Sequence, residues 1–208
     1  FALAENETLG IIGRNGVGKT TMLRIMADIL SPSSGRVIIR PGVTASLLTL
    51  GLGFIPDLSG RNNAILSAML QGATRAEAQS YLDEIKAFSE LGDSFEEPVK
   101  TYSAGMRSRL GFTTALFTHV DVLLIDEILS VGDAEFREKA AAAMKARIAG
   151  EQTVVFVSHS LPQIRQLCDR VIWLDQGRIA AQGKPRDVIR QYRNSMRGPG
   201  KAASNASD

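Results

Sequence analysis

The chain has 208 residues, 44% of them hydrophobic, and its 24 Lys and Arg against 22 Asp and Glu leave a formal charge of +2. That length and apolar content suit one domain with a buried core, which excludes a wholly disordered chain, and the cancelled charge gives no field that would make nucleic acid the main partner. A single cysteine, Cys168, excludes an internal disulfide framework, and no stretch approaches the roughly twenty apolar residues that span a bilayer.

Phe1 opens directly into apolar residues leading to Gly10, with no charged leader region or small-residue cleavage site, so an upstream strand is expected to precede it. Residues 9–12 form a short apolar strand that ends in a glycine loop, residues 13–19. A helix over 20–30 follows and is stopped by Ser31-Pro32-Ser33-Ser34-Gly35. Strands are expected at 37–40 and 43–48, then a loop with Gly51, Gly53 and Pro56.

At Arg61 the period changes. Residues 61–91 suit helices, with a break at Gly72 and a capping box opened by Thr74 with Glu77, and they read as an inserted helical subdomain. A further helix follows Ser103 and carries Met106, Leu110 and Leu116 on one broad face. The buried-type strand 122–125, a helix over 133–149, the strand 153–157, a helix capped by Ser160 with Gln163, and the strand 171–174 restore the α/β alternation. A turn at Gln176-Gly177 leads to a last short strand and a C-terminal helix. On that helix Arg186, Arg190, Arg193 and Arg197 share one stripe, either a solvated face or a contact for anionic headgroups. The division expected is an α/β core of residues 1–52 and 119–196, a helical subdomain of 53–118, and a flexible tail of 197–208.

Gly13-Arg14-Asn15-Gly16-Val17-Gly18-Lys19-Thr20 matches the P-loop pattern in full, between a strand and a helix as its mechanism requires. Its glycines let backbone N–H groups, through Thr21 at the helix start, wrap phosphates; Lys19 reaches the β and γ phosphates and the Thr20 hydroxyl takes magnesium. The strand ending in Asp126-Glu127 delivers two carboxylates to the carboxyl edge of a parallel sheet. Such a pair alone is common; beside a P-loop, Asp126 suits magnesium and Glu127 suits the base that polarises attacking water.

P-loop and acidic strand are shared by many kinases, GTPases and ATPases. What discriminates is Tyr102-Ser103-Ala104-Gly105-Met106, about twenty residues before Asp126. In isolation it is an ordinary helix N-cap. In this position it resembles the Leu-Ser-Gly-Gly-Gln signature of ABC ATPases, keeping the serine and the second glycine. The resemblance continues in Ser130-Val131-Gly132-Asp133, similar to the loop that touches the opposite subunit, and in His159, which matches the family's switch histidine at the γ phosphate. His119 matches no motif.

The resemblance implies an α/β P-loop NTPase (RecA-like) core with the ABC helical subdomain, binding ATP and Mg2+. It also implies a homodimer in which Ser103 and the N–H groups around Gly105 serve the neighbour's nucleotide. The wording of residues 52–63, 98–106 and 125–133 resembles ATPases that export O-antigen, capsule and teichoic acid. That likeness implies a bacterial ATPase on the cytoplasmic face of the inner membrane, bound to a polytopic channel subunit, with no nucleic acid partner.

Two departures stand out: Leu50, flanked by Thr49, sits where the family usually has a glutamine, and no adenine-stacking aromatic precedes the P-loop. A soluble ABC ATPase of ribosome or DNA type would need a second such domain or a long coiled coil, and neither feature is present. Residues 47–63 are expected to dock the membrane partner through Leu50, Leu52, Phe54, Ile55 and Leu58, unless these side chains fold under the helical insert as a satellite core.

Overall fold

The computed structural model describes residues 1–126 and 133–196; Glu127, Ser130, Val131, Gly132, Arg197 and the expected tail lie outside them. Among the described residues the strands are β1 Thr8–Ile12, β2 Ala45–Leu47, β3 Val122–Asp126, β4 Thr153–Val157, β5 Arg170–Asp175 and β6 Arg178–Gly183. They form one sheet in the order β2-β3-β4-β1-β5-β6, parallel except for the β5–β6 pair. That pair is a hairpin across Gln176 and Gly177, both at positive φ, as tight hairpin turns require.

Strands β1 and β4, with sequences TLGII and TVVFV, are buried at every position. A continuous apolar run is what a parallel strand covered on both faces needs. The pleat divides it: Leu123, Ile125, Val154 and Phe156 enter one cluster, while Leu124, Val155 and Val157 enter the other. Helix α1 (Lys19–Met26) covers the second face through Leu23. The first face is covered by α5 (Ala104–Phe117), α6 (Ala134–Ile148), α7 (Leu161–Leu167) and α8 (Pro185–Met196).

Helices α2 (Gly60–Leu70), α3 (Arg75–Ser80) and α4 (Leu82–Ser89) gather with two 3-10 turns, Gly92–Glu96 and Val99–Thr101, around Ala64, Ile85, Phe95, Val99 and Tyr102. Helix α5 belongs to both parts, giving Leu110 to this cluster and Phe112 and Ala115 to the sheet's. At Gly111 the loop after β2 presses on the helix: a Cβ there would lie 2.4 Å from the Gly51 nitrogen. Arg147 of α6 closes the far end of α5, donating to the carbonyls of Ala115 (2.7 Å), Leu116 and Thr118 (2.8 Å). Its burial draws the guanidinium pKa down to about 10.

The capping box at Thr74 and Glu77 forms as expected, and Gly72 breaks the chain at φ 107. Other expectations are corrected. Helix α1 ends at Met26 rather than residue 30, with Asp28 at φ 56. Residues 37–40 form no strand; Ile38 is 77% exposed, because an apolar run becomes a strand only where another pairs with it, and none does among the described residues. Of residues 43–48 the strand takes Ala45–Leu47, with Thr44 and Leu48 still bonded to β3 through Val122 N–H to the Thr44 carbonyl (2.9 Å) and Leu48 N–H to the Leu124 carbonyl (2.8 Å). The Ser160 side chain makes no cap; instead Ser158 Oγ accepts the Ser160 N–H at 3.1 Å and donates to Gln163 Oε1 at 3.2 Å. Leu116 packs on the sheet side of α5, not with Leu110 and Met106. No helix among the described residues is long and apolar enough to cross a membrane.

Candidate nucleotide site

The P-loop leaves the carboxyl end of β1, in the middle of the sheet, and turns into α1. Gly13 is required by close approach, since a Cβ would come 2.5 Å from the Leu174 carbonyl oxygen. Gly18 occupies the N-cap of α1 at φ 102, a region that disfavours a side chain. No side chain caps α1 and no acid sits in its first turn, so its first N–H groups and dipole face outward as an anion site. Lys19 is 7% exposed and donates through Nζ to the carbonyls of Gly13 and Arg14, both at 2.9 Å, which closes the loop on itself.

β4 separates β1 from β3, and all three end on the same edge. That alignment brings Thr20 Oγ1 within 2.6 Å of Asp126 Oδ2, to which it donates. A cavity of about 420 Å³ opens there, lined by Asn15, Gly16, Gly18, Lys19, Thr20, Thr21, Asp126 and His159. Every lining residue was nominated from the sequence. Gly13, Arg14 and Val17 do not line it: Val17 packs on the sheet cluster, and Arg14 donates to Met196 Sδ at 3.2 Å. Leu50 is half-buried against the sheet cluster, and neither it nor Thr49 reaches the cavity.

None of residues 102–106 lines the cavity. Ser103 is the N-cap of α5, its Oγ accepting the Met106 N–H at 3.1 Å, and Ser103, Ala104 and Gly105 are exposed. Tyr102, nominated as part of the same signature stretch, turns inward. It is 4% exposed, sits in the helical cluster, and its hydroxyl donates to the Ser94 carbonyl. Burial, with the charge of Glu96, raises its pKa. Met106 packs on the same cluster.

Asp133 caps α6, with Oδ1 accepting the Phe136 N–H at 3.0 Å and Oδ2 paired with Arg109. The N–H bond first, then the guanidinium, hold its carboxyl below the usual range. Arg109 carried no signal in the sequence, because its partner lies on another element. Cys168 is a packing group, its thiol pushed up to about 12 by burial.

The profile of the ABC transporter family matches residues 1–130. The chain belongs to the ABC transporter family. It is 39% identical over 196 residues to an O-antigen export system ATP-binding protein of Klebsiella pneumoniae, covering 94% of this chain and 79% of that one. A Myxococcus xanthus protein of the same description is 44% identical over 94% of this chain, and a teichoic acids export ATP-binding protein of Listeria innocua is 41% identical over 92%. The ABC chain spans 45% and 57% of those two proteins' lengths. Among solved structures, an ATP-binding subunit of an ABC transporter superposes with a TM-score of 0.75 over 95% of this chain and 86% of its own. A dimeric ATP-binding cassette bound to ADP and Pi superposes with 0.64 over 89% and 88%. Each is 22% identical, a likeness that shows the fold.

Proposed function

We propose that the chain is the ATP-hydrolysing subunit of an ABC exporter of lipid-linked polysaccharide, whether O-antigen, capsule or teichoic acid. It works as an ATP-closed homodimer bound to a polytopic channel subunit, on the cytoplasmic face of a bacterial cytoplasmic membrane. The cargo class comes from the relatives. The ATPase assignment is carried by one observation: Lys19, Thr20, Asp126 and His159 converge on a single cavity at the start of α1.

ATP enters with its phosphates on the N–H groups from Gly13 to Thr21, and Lys19 releases the loop carbonyls to reach the β and γ oxygens. The Thr20 and Asp126 oxygens suit a small hard cation, so both would hold Mg2+, Asp126 generally through water. When bound, that ion would neutralise charge on the phosphates. Glu127 acts as the base toward the attacking water, and His159 contacts the γ phosphate. Asp133 meets the opposite subunit. The exposed start of α5, Ser103 to Gly105, closes on the partner's nucleotide, since it reaches no part of its own cavity.

Docking to the channel falls on the helical part, though not through every residue expected. Phe54 packs on the helical cluster and Leu50 on the sheet cluster, whereas Ile55, Met69 and Leu70 are 46%, 41% and 60% exposed. Among the described residues of the helical part, those three are the most exposed large apolar side chains, and we place the membrane partner there.

Glu127→Gln tests the catalytic reading. ATP binding should persist, turnover should fall on the order of 10²–10⁴-fold, and ATP with magnesium should hold a dimer on size-exclusion chromatography. A variant that hydrolyses at the wild-type rate, or stays monomeric, overturns it.

A further inference from the structure

A second cavity, of about 170 Å³, opens between the P-loop, the β5–β6 hairpin and the last turn of α8, and it shares no residue with the nucleotide cavity. Trp173 and Asp175 come from β5 and Gln176 from the hairpin turn. Tyr192, Ser195 and Met196 come from α8, where spacings of three and four put them on one face. Arg14 of the P-loop forms the remaining wall, its Nε donating to Met196 Sδ at 3.2 Å.

The Trp173 and Tyr192 rings meet edge to face with 5.7 Å between centroids, and both pack on the buried sheet cluster. Rings set at 67° offer one face and one edge, rather than the two parallel faces that would sandwich a flat base. The polar groups around them are unspent. Among the described residues the Trp173 indole N–H, the Tyr192 hydroxyl, the Asp175 carboxylate and the Gln176 amide have no hydrogen-bond partner, and Arg14 gives its one bond to a thioether, a weak acceptor.

Arg14 and Asp175 cancel in charge, which favours a neutral ligand over a bare phosphate or an ammonium. Arg14 can only donate, Asp175 can only accept, and Gln176, Tyr192 and Ser195 can do both. That mixture suits a ring whose hydroxyls each donate and accept. The volume is that of about six waters in the liquid, the size of one hexose and too small for two. We propose that this cavity binds a single pyranose ring, with a C–H face laid on the aromatic pair and its hydroxyls on Asp175, Gln176 and Arg14. The site goes beyond the ATPase reading and does not depend on it.

Trp173 is the chain's single tryptophan, so its fluorescence reports on this cavity alone. Wild-type protein is titrated with the methyl glycosides of glucose, galactose, mannose and N-acetylglucosamine. Expected is a saturable change with at least one of them, half-complete on the order of 1 mM and retained under saturating ATP. Asp175→Asn, which keeps the shape and loses the charge, should weaken binding roughly tenfold, and Tyr192→Phe, which keeps the ring, about threefold. Both variants should keep the wild-type urea midpoint and ATPase rate. No saturable change with any glycoside overturns the proposal, as does full binding by Asp175→Asn. So does an equal change with sorbitol, which has the hydroxyls without the ring, or a tighter one with adenosine, which would make this a base pocket. Abolition of the response by ATP would put the probe in the nucleotide cavity and overturn it too. Preference for a methyl glycoside over the hexose 1-phosphate marks the end of a glycan as the source, and the reverse a soluble sugar phosphate; both uphold the site. Failure here leaves the nucleotide cavity and its Glu127→Gln test untouched.

Discussion

Helices α1 and α5 both begin at a turn of small residues, yet the two starts are finished differently. At α1, glycine replaces the capping side chain, Lys19 folds back over the loop, and a cavity with a carboxylate and a histidine stands in front. At α5, Ser103 caps the helix, Tyr102 anchors the turn from below in the helical cluster, and no residue of the turn reaches that cavity. The first start surrounds an anion with everything it needs; the second presents donors on an open surface and needs another surface to complete it.

The sharpest way to break this contrast is to disable each start in turn. Lys19→Ala should weaken nucleotide binding by the monomer on the order of a hundredfold, from the loss of a charge-assisted phosphate contact. Ser103→Arg should leave monomer affinity within twofold and abolish the ATP-dependent dimer. Mixing the two restores one intact composite site and part of the turnover. An equal collapse of ATP affinity in the Ser103 variant, read by equilibrium titration, would put both starts in one site of one chain.

A smaller effect asks what holds each start in place. α1 is joined through the P-loop to a strand buried at every position, whereas α5 depends on Arg147 to satisfy its last carbonyls. Arg147→Met should therefore lower folding stability by about 3 kcal/mol, because the Ala115 and Thr118 carbonyls lose their donors. Urea unfolding reads it, and an unchanged midpoint would mean that water replaces the guanidinium without cost.

The last contrast lies within the helical part. Phe54→Asp places a charge in the helical cluster and should lower the thermal midpoint by several degrees, on the order of 2 kcal/mol. Ile55→Asp and Leu70→Asp should melt as wild type, hydrolyse ATP, and fail to co-purify with the channel subunit. A folded Phe54→Asp that alone loses the channel would return docking to Phe54.

The sequence made the cavity legible because phosphate binding by a loop depends on glycine spacing and backbone N–H groups, which need no knowledge of distant partners. The strands at 9–12, 122–125 and 153–157 were legible for a related reason: burial on both faces leaves an unbroken apolar run. Where a partner decides the outcome, the sequence was silent. Residues 37–40 have the composition of a strand but no neighbour to pair with among the described residues. Tyr102 stands in a recognisable motif, yet the Ser94 carbonyl takes its hydroxyl and Gly60, far back in the chain, leaves the space that lets it turn inward. No motif marks Arg109 or Arg147, and only the meeting of α5 with α6 brings Arg109 to Asp133 and Arg147 to the Ala115 carbonyl.

The position of β1 also has a consequence for how the molecule is made. Residues 8–12 pair with 153–157 on one side and 170–175 on the other. Those pairings close very long loops, which slows folding and postpones it until residues 153–175 have been made. The phosphate loop thus leaves the ribosome well before the strands that flank it and takes shape only after them. Until β4 and β5 have emerged, the apolar run of β1 must be shielded by other means, and a nascent chain arrested before residue 153 should bind no nucleotide.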